Sequence, residues 1–105
     1  MKVHPDLLNA ARTASHTALE TMVGWSVGKR AQIGGHRAPG AWVCGASMRL
    51  LEAGDYAVLA TDLAACNAYE GALKTAAMVS CPALVLCGSD DRMTPAKLTG
   101  PLVEA

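Results

Sequence analysis

Two adjacent carboxylates, Asp90 and Asp91, follow a short apolar run at residues 83–87 and a single glycine. A run of this length, bounded by Pro and Gly, predicts a buried β-strand. Thr94 and Pro95 then favour the N-cap and the first position of a helix. The carboxyl end of a buried strand is where open α/β sheets hold ligands. Asp90 and Asp91 are therefore candidate catalytic carboxylates; the alternative for both is a turn or capping role, and Asp90 in particular fits an exposed turn.

Residues 81–95 resemble the acid-bearing strand and turn of the α/β-hydrolase family. In that family an apolar strand, Gly, two residues, Asp, two residues, Thr or Val, and Pro follow one another, and Asp91 stands three residues after Gly88. The resemblance implies that Asp91 is the acid of a catalytic triad and would orient a histidine. The preceding residues resemble the helical cap, or lid, that many hydrolases insert before this strand. The matching positions are Trp25, Gly34-Gly35, residues 39–42, 49–51 and 62–69.

Two members of the triad are not evident. The family uses Ser, Asp and His in that order, and no histidine follows Asp91. The string Gly24-Trp25-Ser26-Val27-Gly28 matches G-x-S-x-G, but a helical pattern precedes it instead of the strand that this motif needs. We interpret Ser26 as part of a turn that ends a helix, with a nucleophile as the less favoured alternative. We expect a truncated hydrolase-like protein, inactive alone, whose parent chemistry is hydrolysis of an ester or related bond.

Helical periodicity dominates the rest of the chain. A glycine-rich loop is predicted over residues 28–40, and a short, interrupted helix over residues 95–103. Asp55 is expected to cap one helix, and Trp42 and Leu50 to face inwards from another. Four helices are predicted before the strand, over residues 5–23, 41–53, 56–69 and 70–79. The predicted fold class is mainly α (α+β): three to four cap-like helices, one β-strand and a short C-terminal helix, divided into regions 1–80 and 81–105.

Composition limits the partners. Nine basic and nine acidic residues are scattered along the chain, so charge attracts neither nucleic acid nor an anionic membrane. No apolar run could span a bilayer, and the first residues lack a signal-peptide pattern, so a cytoplasmic location is expected. The four cysteines fit no zinc template and are expected to be reduced and mostly buried. We predict no metal and no cofactor.

A lone strand would leave its backbone hydrogen-bonding groups unpaired within one chain. We therefore expect a homodimer in which residues 83–87 pair across copies or dock on helices. The second hypothesis for function is accordingly a stand-alone helical module for dimerisation or ligand binding. A pocket for a small apolar ligand is left open, although ordinary helix packing is the favoured explanation of its candidate lining residues. These are Trp25, Trp42, Met22, Met48 and Met78.

Overall fold

Apolar residues at helical spacing fold most of the chain into short helices. The computed structural model describes residues 2–35, 37–38 and 40–105. Within these residues the chain forms seven α-helices and one 3₁₀ helix, Ala96–Leu98. The α-helices are α1 (Pro5–Arg12), α2 (Thr17–Ser26), α3 (Lys29–Gln32), α4 (Val43–Glu52), α5 (Tyr56–Ala68), α6 (Ala72–Ala76) and α7 (Gly100–Glu104). The predicted loop at 28–40 contains α3, and its positions His36 and Pro39 lie outside the described residues.

The single helix predicted over residues 5–23 is two helices. Thr13 donates its hydroxyl to the carbonyl oxygens of Asn9 and Ala10, at 3.0 and 3.2 Å. Ala14 follows with a φ of 51°, and the backbone N–H of Thr17 donates to Ser15 Oγ at 3.3 Å. Hydroxyl side chains compete with helical backbone bonds in this way, so α1 ends and α2 begins within a helical apolar stripe.

Helices α4 and α5 form close to their predicted bounds. Asp55 caps α5 as expected, because its Oδ1 accepts a hydrogen bond from the backbone N–H of Ala57 at 2.8 Å. Trp42 and Leu50, expected on an inner face, are exposed instead. The fourth predicted helix is shortened to α6. Periodicity therefore located these helices but did not decide which faces are covered.

The core is small and lies between the first helices. Helix α1 packs against α5 and α2, and α2 packs against α4. Alanines in α1 and α2 are fully buried, which allows these helices to approach closely. The buried hydrophobic residues are Leu7, Ala11, Ala18, Leu19, Val23 and Leu63. Among residues 64–105, all of which the structure describes, none is buried.

The predicted strand at residues 83–87 does not form, and the described residues contain no β-strand. A strand needs a hydrogen-bonded neighbour, and none is present in the described part of the chain. The predicted α+β fold class is therefore wrong: the fold is all-helical. The same finding overturns the resemblance to an α/β-hydrolase cap, lid and acid strand, because that resemblance depends on the strand and the sheet around it.

The C-terminal third is a separate packing group. Helix α6 packs against α7, which also meets the 3₁₀ helix. This group touches the helical core through the turn at residues 90–93, where the N–H of Arg92 donates to the carbonyl oxygen of Trp25 at 2.9 Å. Met93 packs against the core cluster there. The division into regions 1–80 and 81–105 stays a prediction. No helix among the described residues is both long and apolar enough to cross a membrane.

Candidate functional site

The carboxylate of Asp91 is bound by its own turn. Its Oδ1 accepts hydrogen bonds from the backbone N–H groups of Met93 and Thr94, at 2.8 and 3.0 Å, and its Oδ2 accepts one from Thr94 Oγ1 at 2.7 Å. The hydroxyl and backbone N–H of Thr94, with the N–H of Met93, stabilise the charged form and lower the pKa of Asp91 below its ordinary value. The carboxylate therefore closes a turn; its role as a catalytic acid stays a prediction.

Neither Ser26 nor a described histidine is among the hydrogen-bond partners of the Asp91 carboxylate. Ser26 is the last residue of α2 and lines a cavity with Met22, Ser47 and Leu50. His4 and His16 lie near other carboxylates: His4 Nδ1 is 3.7 Å from Asp6 Oδ2, and His16 Nε2 is 3.7 Å from Glu52 Oε1. His36 lies outside the described residues. Among the described residues, the hydrogen bonds of Asp91 therefore join it to no other candidate residue of a triad.

An open cleft of about 510 Å³ lies where the C-terminal turn meets the helical core. Its floor is apolar, because Leu7 of α1 and Leu63 of α5 are both buried there. Trp25 forms one wall, and its ring packs edge-on to the His4 ring with centroids 5.4 Å apart. The remaining lining residues are Lys2, Val3, His4, Cys66, Arg92, Met93, Thr94, Pro95 and Leu98.

The lysine and arginine that line this cleft are basic, and its other polar lining residues are His4, Cys66 and Thr94. Lys2 and Arg92 line it, whereas no Asp or Glu does. Lys2 Nζ is 3.4 Å from Glu70 Oε1 and donates to the carbonyl oxygen of Asn67 at 2.9 Å. The Arg92 guanidinium lies 6.0 Å from the centroid of the Trp25 ring, and no carboxylate of the described residues forms a salt bridge with it. Arg92 is thus a cation held by an aromatic face and not by an acid.

The apolar run at residues 83–87 is a second candidate site. Residues 82–88 contain no helix, turn or bend. Leu84 and Leu86 are 81% and 85% exposed, whereas Val85 between them is 41% exposed. Within the described chain, the backbone N–H and carbonyl groups of residues 83–87 make no hydrogen bond. The run therefore offers alternating apolar side chains and an unused row of backbone donors and acceptors.

The candidate pocket residues do not share one site. Trp25 lines the 510 Å³ cleft, Trp42 and Met48 line another cavity, and Met78 is exposed. The cysteines are free, but the expectation that they are mostly buried is wrong, because Cys44 alone is partly covered and the other three are exposed. The described residues contain no group of three or more His, Cys, Asp or Glu side chains that could hold a metal ion.

No known family model, characterised protein or solved structure matches this chain. Sequence reasoning found the run at residues 83–87 but overlooked Arg92, because neither charge nor spacing indicated that its guanidinium would meet Trp25, 67 positions earlier.

Proposed function

We propose that this protein is a helical self-association module whose two copies join through residues 83–87. The observation that carries the proposal is the alternating exposure of Leu84, Val85 and Leu86 beside backbone groups that have no partner. Exposed, unpaired backbone beside apolar side chains is a template for pairing with another chain. The pairing would give both copies the hydrogen bonds that one copy lacks. A cytoplasmic location for this dimer stays a prediction.

The amount of exposed surface supports association. The chain exposes 7703 Å², whereas a folded monomer of 10.8 kDa is expected to expose roughly 5,500 Å². Its radius of gyration is 15.7 Å, compared with about 13 Å for a compact domain of this length. The excess of roughly 2,000 Å² exceeds the area of about 800 Å² that each partner buries in a standard interface. One dimer interface therefore fits within the excess.

The order of side chains favours a second copy over an unrelated partner. Residues 83–87 read Ala-Leu-Val-Leu-Cys, which is nearly symmetric about Val85. In an antiparallel pair about a two-fold axis, Val85 would face Val85, Leu84 would face Leu86, and the small Ala83 would face the small Cys87. The formal charge of the chain is zero, so two copies carry no net repulsion.

The test compares two lysine variants by sedimentation equilibrium over a concentration series. Leu86→Lys places a charge in the proposed seam and is expected to abolish dimers. Ile33→Lys is the matched control, because Ile33 is 87% exposed and lies outside the run; it should leave the dimer intact. A parent chain that stays monomeric at all concentrations, or two variants that weaken association equally, would refute the proposal.

A cysteine variant tests the register of the proposed antiparallel pair. In a chain whose four native cysteines are replaced by alanine, Val85→Cys would place a thiol on the two-fold axis, opposite its own copy. Directly opposed residues of an antiparallel pair lie at distances that a disulfide can bridge. Mild oxidation should therefore produce a covalent dimer of this variant, and much less from Ile33→Cys. Equal yields would contradict the antiparallel register.

A further inference from the structure

The cleft beside Trp25 is separate from the association surface, since none of its lining residues belongs to the run at 83–87. We propose that this cleft binds a small amphipathic monocarboxylate, a molecule with one carboxylate on an apolar chain. The cleft of about 510 Å³ lies within the range of roughly 300–1,000 Å³ that is typical of small-molecule sites. Such sites combine an apolar lining with few polar groups that fix the ligand's orientation.

The apolar side chains at the floor of the cleft favour a ligand with an apolar body. Leu7 and Leu63 are buried core residues whose side chains close the bottom of the cleft, and Trp25 and Met93 pack against the same cluster. These four side chains offer no charged group. An alkyl chain placed on them would be removed from water on the side that faces the floor, which is favourable in proportion to the apolar area covered.

The carboxylate is specified by Arg92. Arg92 lines the cleft, and its guanidinium lies 6.0 Å from the centroid of the Trp25 ring and forms no salt bridge within the described residues. A planar guanidinium matches a carboxylate through two parallel hydrogen bonds. No Asp or Glu lines the cleft, and the carboxylate of Asp91 behind Thr94 is bound by the hydroxyl and backbone N–H groups of its own turn. Lys2 at the rim is already near Glu70, so a single unmatched cation remains, and it suits a single negative charge.

The experiment follows Trp25 fluorescence in a Trp42→Phe chain, which leaves Trp25 as the one indole. The probes are decanoate, decan-1-ol and acetate, all kept below concentrations at which they aggregate. Decanoate should produce a saturable change, decan-1-ol should bind about tenfold more weakly, and acetate should produce none, because both the chain and the charge are required.

Three variants test whether Arg92 is the residue that binds the carboxylate of decanoate. Arg92→Gln should weaken decanoate binding about tenfold and leave decan-1-ol binding unchanged. Arg92→Lys should restore part of the affinity, and Lys97→Gln, a charge loss outside the cleft, should change nothing. Leu86→Lys should also bind decanoate normally, which separates this proposal from the dimer. The proposed carboxylate site would be refuted by equal affinities for decanoate and the alcohol, by an unaffected Arg92→Gln variant, or by no saturable binding at all. Circular dichroism in the helical region checks that each variant is folded.

Discussion

Helices α1–α5 and residues 69–105 are both rich in apolar side chains, but only the first group buries any. The helical group places Leu7, Leu19 and Leu63 in a core, whereas the C-terminal group leaves Leu84 and Leu86 almost fully exposed. The difference is in periodicity. Side chains spaced for a helix can be covered by another helix of the same chain. Side chains spaced for a strand need a neighbouring strand, and residues 2–35, 37–38 and 40–105 form none, so the apolar surface remains available for a partner.

The largest expected difference between the two regions is in the free energy of unfolding lost when a leucine is shortened to alanine. Leu7→Ala should lower the free energy of unfolding by about 2–5 kcal/mol, because a buried leucine leaves a cavity when it is shortened. Leu84→Ala removes the same atoms from an exposed position and should change it by less than about 0.5 kcal/mol in a dilute monomer. Urea unfolding followed by circular dichroism measures both. Similar losses would mean that residues 83–87 are covered by their own chain.

A smaller loss of stability is expected when the carboxylate that caps α5 is removed. Asp55→Ala should destabilise the helical group by about 1 kcal/mol, since the cap on the N–H of Ala57 is lost. Asp55→Asn should retain most of that stability, because the amide oxygen can still accept the bond. Thermal unfolding of the two variants measures the difference. An unchanged Asp55→Ala variant would show that α5 is held by packing alone.

The smallest effect concerns the turn at Asp91. Because folding lowers the pKa of Asp91, its contribution to stability is present above the ordinary aspartate pKa and is lost as pH falls through the lower folded value. Thr94→Val removes the 2.7 Å hydrogen bond and should raise the pKa of Asp91 towards its ordinary value. Chemical shifts of the Met93 amide proton, followed during acid titration, measure this pKa. The same titration curve in the parent chain and the variant would contradict the assigned cause.

The sequence predicts the helical region better than the C-terminal one. The apolar periodicity of α4 and α5 is local, and so is the Asp55 cap of α5, so these signals predict both helices close to their observed bounds. The break at residues 13–16 was not predicted, because the apolar stripe continues through it. The helix ends there because the hydroxyls of Thr13 and Ser15 bond to backbone groups. The strand prediction was wrong for a different reason. The pattern at residues 83–87 is that of a strand, but strand formation depends on a neighbour that no local pattern reveals.

The cleft could not be predicted for the same reason. Its floor comes from α1 and α5, its aromatic wall from the end of α2, and its cation from the turn after residue 90. Trp25 is a predicted pocket residue, but Trp42 and Met78, which are predicted to share its pocket, lie elsewhere. Only the packing of the turn against α2 brings Arg92 to Trp25.

The single backbone bond from Arg92 to Trp25 also bears on how the molecule comes apart. Few buried contacts reinforce it, so the C-terminal third could open while α1–α5 stay folded, as weakly packed regions of proteins do. Unfolding would then not be all-or-none: indole emission would change before the helical signal. A ligand bound across that junction would stabilise the contact, so that indole emission and the helical signal would change closer to the same denaturant concentration.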